Sequence, residues 1–124
     1  SVDLREHGDF ALESLFHEAS HGWDQKLIDG VAKAAANRGR PTPQDLWHAI
    51  LFYTAGDATR SALAAGGNST YIPYAVRNGV YDRGWQDYRR AIETAWPRYL
   101  DGRTDFASAL RAVIDALPAP KEAR

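Results

Sequence analysis

Apolar positions recur every three or four residues along most of the chain, which is the spacing of an amphipathic α-helix. No alternating pattern typical of a β-strand runs longer than four residues. The first helical pattern starts at Phe10, with Asp9 as its N-cap, and continues past Gly22 to Val31. The segment Asn37 to Gly39 has the composition of a helix C-cap and ends it.

A second helix is predicted over residues 43–65, where the start is marked more clearly than anywhere else. Thr42 is a favourable N-cap, and Pro43 suits the first helical position because its missing N–H has no partner there. The pair Gly66-Gly67 ends this helix. Residues 68–79 are rich in Gly, Asn and Pro and are predicted to form a loop.

Two more helices are predicted in the C-terminal part of the chain. The third starts between Asp82 and Trp85 and reaches Leu100, with Pro97 kinking it or ending it early. Asp101-Gly102 forms a turn, and Thr104 caps the last helix. That helix has one apolar stripe, made of Phe106, Ala109, Leu110, Val113, Ile114 and Leu117.

Composition agrees with a helical fold and excludes several classes of function. The 124 residues include 21 Ala and no Cys, so helix is favoured and thiolate metal sites and disulfides are excluded. A net charge of −1 gives no electrostatic footprint for nucleic acid, and no apolar stretch is long enough to span a membrane. We therefore predict an all-α fold, a compact bundle of four to five helices in one domain over residues 1–117, followed by a polar tail over 118–124.

The first predicted helix contains the sequence His17-Glu18-Ala19-Ser20-His21. On a helix, His17 and His21 project from one face, where two imidazoles can share one zinc ion. Glu18 lies about 100° further around the axis and can hold a water molecule bound to that metal. Zinc lowers the pKa of such a water, and Glu18 can then act as its general base.

The segment Leu15 to His21 resembles the active-site helix of the zincin metallopeptidases. The resemblance implies that His17 and His21 bind zinc, that Glu18 is the catalytic base, and that the substrate is a peptide or protein. Asp24 and Leu27 stand where the metzincin subgroup has Gly and His, and the Gly-Thr-x-Asp segment of aspzincins is absent. Gluzincins take a Glu from a later helix, but this chain has no Glu between Glu18 and Glu93.

We therefore predict Asp57 as the third zinc ligand, in a gluzincin-like arrangement with Asp in place of Glu. Asp57 and Arg60 interrupt an otherwise apolar and aromatic stripe of the second helix, and a buried carboxylate is costly unless it is paired or binds a metal. Arg60 would then orient the carboxylate. Two alternatives stay open, namely a surface ion pair between Asp57 and Arg60, and His48 as the ligand instead.

Tyrosines near these positions are candidates for a second catalytic role. In several zincins a Tyr or His side chain donates a hydrogen bond to the tetrahedral oxyanion. Tyr53, one helical turn before Asp57, and Tyr74, in the predicted loop, are the residues assigned to this role. Ordinary aromatic packing is the alternative for each of them.

The sequence thus predicts a zinc-dependent hydrolase, with two alternatives. The first is a helical binding or assembly module whose motif is accidental or whose metal is purely structural, and the second is a degenerate zincin that binds metal without turnover.

The chain carries no Met, and zincins usually have a β-sheet before the active-site helix. We therefore expect either an N-terminal part that is absent here or docking against another chain, for which the sequence offers four aromatic residues, Trp85, Tyr88, Trp96 and Tyr99. The chain is expected to be soluble, and the sequence leaves open whether it is secreted or periplasmic after processing, or cytoplasmic.

Overall fold

The computed structural model describes residues 23–67, 72–73 and 85–118. Over these ranges the chain is all-helical and contains no strand, which confirms the predicted fold class. The described helices are α1 (Asp24–Asn37), α2 (Leu46–Ala65), α3 (Gln86–Ala95), α4 (Pro97–Leu100) and α5 (Phe106–Ala116). None of these helices is long and apolar enough to cross a membrane.

Helix α1 begins at Asp24 and ends where the sequence predicted, with Gly39 adopting a left-handed φ of 63°. The predicted start at Phe10 lies outside the described residues. Gly30 lets α1 approach α5 closely, because a Cβ at this position would lie 2.6 Å from Cδ1 of Leu110 and 2.8 Å from Cε2 of Phe106. A Cβ at position 30 would therefore require the Leu110 and Phe106 side chains to shift.

Helix α2 begins at Leu46, so the prediction of a start at Pro43 with Thr42 as N-cap is wrong by three residues. The reason is the left-handed backbone of Asp45, whose φ of 61° interrupts a helix that would otherwise extend back to Pro43. Asp is one of the residue types that tolerate this conformation. The Tyr88 hydroxyl of α3 donates to the Gln44 carbonyl at 2.7 Å and holds this turn in place.

The third predicted helix is divided at Trp96 into α3 and α4. Pro97 has no N–H to donate to the preceding turn, so the predicted effect of this proline is confirmed. The last helix is capped one residue later than predicted, since Asp105 rather than Thr104 accepts from the Ser108 backbone N–H at 2.7 Å. These hydrogen bonds to Ser108 hold the pKa of Asp105 below its ordinary value of 3.8.

The core lies between α1, α2, α3 and α5, and Trp96 is its largest buried side chain, with 1% exposed. Trp85, Tyr88 and Tyr99 are partly buried and pack against the same core. The expectation that all four aromatic residues supply docking surface is therefore wrong for Trp96, which the chain's own core requires. The other buried apolar residues at this centre are Leu27, Val31, Leu46, Ile50, Leu51, Ile92, Leu110, Val113 and Ile114.

The C-terminal end of α5 is fixed to the α1–α2 connection by two arginines. Arg40 donates to the Ile114 carbonyl at 2.5 Å and also to the Pro118 carbonyl. Arg38 forms a two-point ion pair with Asp115, with N···O distances of 2.7 and 2.9 Å. The Ile114 carbonyl also accepts from the Leu117 backbone N–H at 3.2 Å, so Arg40 adds a second, cationic donor at the C-terminal end of α5.

Candidate functional site

The predicted zinc-binding motif and one predicted tyrosine lie outside the described residues. These are His17, Glu18, His21 and Tyr74. The remaining candidates, Tyr53 and Asp57, lie one turn apart near the middle of α2, and both are partly buried.

Asp57 forms an ion pair with Arg60, with Oδ1 and Nη2 separated by 2.5 Å. The Asp57 side chain is 27% exposed and the Arg60 side chain is 52% exposed. The expected contact between the two residues is confirmed, but the premise that Asp57 is a buried carboxylate is wrong. Because Arg60 and solvent already compensate its charge, the cost of burial does not by itself require a metal ion at Asp57.

Tyr53 lies one helical turn before Asp57 and is half-buried. Burial raises the pKa of the Tyr53 phenol above its ordinary value of 10.0, and the negative charge of Asp57 raises it further. The Arg60 guanidinium acts in the opposite direction on the same pKa. At neutral pH Tyr53 is therefore a neutral phenol whose hydroxyl can donate a hydrogen bond.

Helix α3 brings a second carboxylate towards the same tyrosine. Glu93 accepts from Arg89 Nε at 3.1 Å, and both charges act on the pKa of Tyr53, Glu93 raising it and Arg89 lowering it. The sequence alone predicts no function for this pair. The spacing of Arg89 and Glu93 predicts an ion pair along one helix face, but it does not say which helix that face packs against.

His48, the alternative zinc ligand, belongs to an aromatic cluster. Its ring stacks on Trp47 and on Phe52, each with a centroid distance of 5.0 Å, and meets the edge of Trp85 at 5.8 Å. His48 and Asp57 are nine residues apart on one helix, a rotation of about 900°, so they project from opposite sides of α2. They are therefore alternatives for a metal site and cannot both be ligands of one ion.

Over the part of the chain that the structure describes, no group of three or more His, Asp or Glu side chains is arranged to hold a metal ion. Asp57 is therefore a single candidate ligand that needs partners from elsewhere in the chain. A carboxylate oxygen is a normal ligand for zinc, and an Arg that contacts the carboxylate is a normal outer partner. Asp57 and Arg60 thus fit the chemistry of a zinc site that His17 and His21 would complete.

Comparisons with protein-family models, with curated proteins and with solved structures found no match. The resemblance to zincins is consequently carried by the His-Glu-x-x-His motif alone. The structural facts that bear on it are the positions of Asp57, Arg60 and Tyr53 on α2.

Proposed function

We propose that this protein is a zinc-dependent hydrolase that cleaves peptide bonds, with a gluzincin-like site in which Asp takes the place of Glu. The observation that carries the proposal is the sequence His17-Glu18-x-x-His21, which combines two imidazoles and a base at helical spacing. Its support from α2 is a partly exposed carboxylate, Asp57, already oriented by Arg60.

Each residue has a defined task in this proposal. His17, His21 and Asp57 would hold the zinc ion. Bound zinc would supply a water of lowered pKa and a positive charge for the substrate carbonyl. Glu18 would take a proton as the general base and deliver it to the leaving amine.

Tyr53 is proposed to stabilise the oxyanion. Its raised pKa keeps the phenol protonated, so that it can donate a hydrogen bond to the substrate oxygen as negative charge develops there. Tyr74 remains the second candidate for this role, on the basis of the sequence alone. Removal of such a donor typically costs ~3 kcal/mol of transition-state stabilisation.

The first experiment measures bound zinc by elemental analysis of the full chain purified without added metal. We expect about one zinc per chain, and loss of most of it in His17→Ala. Asp57→Ala should weaken zinc binding strongly. The matched control is Asp87→Ala, because Asp87 forms the same kind of ion pair three residues before an Arg, with Arg90 at 2.9 Å.

Three outcomes would each contradict a different part of the proposal. Unchanged zinc in His17→Ala would exclude the motif as the metal site. Equal zinc content in Asp57→Ala and Asp87→Ala, with loss in His48→Ala, would move the third ligand to His48. No bound zinc in the parent protein would favour the alternative, a helical binding or assembly module.

Turnover is tested separately with Glu18→Gln, which keeps size and shape but removes the base. We expect zinc to remain bound while cleavage of a fluorescein-labelled casein falls by ~10²-fold or more. Retained zinc without activity in the parent protein would indicate a degenerate zincin. Full activity in Glu18→Gln would show that Glu18 is not the base.

A further inference from the structure

A groove of about 480 Å³ lies between α1 and α5, and its lining contains none of the residues assigned to the zinc site. Three cationic side chains line it, Lys26 and Lys33 from α1 and Arg111 from α5. Phe106 and Asn37 also line the groove. Two of the three lysines of the whole chain therefore lie on this one surface.

These three cations differ from most other basic side chains in the part of the molecule that the structure describes. Five arginines elsewhere form ion pairs with carboxylates, namely Arg38, Arg60, Arg89, Arg90 and Arg103. Within the described ranges, Lys26, Lys33 and Arg111 form no such pair, and Arg111 donates only to the Ser108 hydroxyl at 3.1 Å. The one acidic residue of the groove, Asp29, accepts from Gln25 at 2.8 Å.

Aromatic rings fix the position of one of these charges. Lys26 Nζ lies 4.7 Å from the centre of the Phe106 ring and 5.5 Å from the centre of the Trp23 ring. Such cation–π contacts hold an ammonium group in place without using its hydrogen-bond donors. Trp23 is itself 44% exposed, so it offers apolar surface beside the charge.

The spacing of the two lysines matches a particular ligand geometry. Lys26 and Lys33 are two helical turns apart, which corresponds to about 10.5 Å along α1. A peptide in the extended polyproline II conformation has three residues per turn and rises about 3.1 Å per residue, so side chains three residues apart lie on one face, about 9.3 Å apart. Acidic residues at positions i and i+3 of such a peptide would therefore meet Lys26 and Lys33 together.

We propose that the α1–α5 groove binds an extended acidic peptide segment, with carboxylates three residues apart on Lys26 and Lys33 and with Arg111 on the opposite wall. A protein ligand fits better than a nucleic acid because the chain as a whole has a net charge of −1 and lacks the basic excess typical of nucleic-acid-binding domains. The Asn37 amide is suited to hydrogen bonds with the peptide backbone.

The test uses fluorescence anisotropy with the full chain and a labelled peptide, Gly-Glu-Gly-Gly-Glu-Gly, at a low salt concentration of about 20 mM. EDTA is present, so that the peptide carboxylates cannot bind through zinc. We expect saturable binding that the Lys26→Gln/Lys33→Gln double variant weakens by about five- to tenfold. Arg98→Gln, which removes a cation on α4 outside the groove, should leave binding unchanged.

Two further peptides and one oligonucleotide show which results would overturn the proposal. The peptide with two adjacent Glu residues should bind more weakly than the i, i+3 peptide, and the version with Gln in place of both Glu should not bind. Equal binding of all three, or unchanged binding by the double variant, would refute the groove as an acidic-peptide site. Tighter binding of a labelled oligothymidylate, lost in the double variant, would reassign the groove to nucleic acid.

Discussion

The indole Nε1 of Trp96 donates a hydrogen bond to the hydroxyl of Thr54 at 3.0 Å. Thr54 follows Tyr53 on α2, and its hydroxyl donates in turn to the Ile50 carbonyl at 2.7 Å. The bond therefore fixes the helix that carries Tyr53 and Asp57 against the break between α3 and α4. A buried indole N–H without a partner is costly, so this contact contributes both to stability and to the placement of the candidate site.

We expect Thr54→Val to lower the free energy of unfolding by about 1–3 kcal/mol, because the shape is kept while the Trp96 N–H loses its acceptor. Thr94→Val is the matched control. The Thr94 hydroxyl makes the same kind of bond to a carbonyl four residues earlier, at 2.7 Å, but on an exposed surface. Urea denaturation should show a change within about 0.5 kcal/mol for Thr94→Val, and equal effects of the two substitutions would argue against the role of the Trp96 bond.

The sequence predicted the bounds of the helices well where the apolar periodicity agrees with capping and helix-breaking residues. It predicted them less well where a single backbone angle sets the bound. The stripe on α5 and the break at Pro97 follow from spacing and from the missing proline N–H. The start of α2 does not, because the left-handed Asp45 has no marker in the sequence beyond its residue type. Tertiary contacts such as Tyr88 to Gln44 select that turn, and no local pattern contains them.

For the candidate site, the sequence predicted the Asp57–Arg60 contact but not its degree of burial. The stripe of α2 suggested a uniformly buried face, whereas Leu46 and Ile50 are buried and Asp57 is partly exposed. The stripe indicates the direction in which a side chain points from its helix. The burial of that side chain depends on how far the neighbouring helices extend along the stripe. The approach of Glu93 towards Tyr53 has the same origin, since it depends on how α3 lies beside α2.

We expect Arg40→Met to lower the free energy of unfolding by about 1–2 kcal/mol, since it keeps the aliphatic stem but removes the donors to the Ile114 and Pro118 carbonyls. The control is Arg103→Met, because Arg103 forms an exposed ion pair with Asp101 at 2.7 Å. Such a pair contributes little, so its loss should change stability by less than about 1 kcal/mol. Identical urea midpoints for the two variants would show that the Arg40 cap is not stabilising.

Gly30→Ala tests the close approach of α1 and α5. Alanine favours a helix by about 1 kcal/mol over glycine, but the added methyl would overlap the Leu110 and Phe106 side chains at a cost of about 1–3 kcal/mol. We expect net destabilisation in thermal unfolding. Gly66→Ala is the comparison, because its nearest neighbours would lie at 3.6 Å or more and its φ is −87°. A stabilised Gly30→Ala would mean that the interface yields without cost.

The electrostatic environment of Tyr53 predicts how its titration responds to the charges around it. The phenol should titrate above 10.0, as measured by the difference in phenolate absorbance between the parent protein and Tyr53→Phe. Asp57→Asn should lower this pKa because it removes a negative charge that disfavours the phenolate, and Arg60→Gln should raise it. Asp87→Asn serves as the control and should leave the pKa of Tyr53 unchanged.

The same shift predicts a dependence of stability on pH. Because the folded pKa of Tyr53 is above the unfolded value of 10.0, its contribution to stability is fully present below pH 10 and is lost as the pH rises through the folded pKa. The urea midpoint of the parent protein should therefore fall over this alkaline range more steeply than that of Tyr53→Phe. Parallel curves, or a Tyr53 that titrates below 10, would contradict the burial and charge environment assigned to it, and with them its suitability as a neutral hydrogen-bond donor beside Asp57.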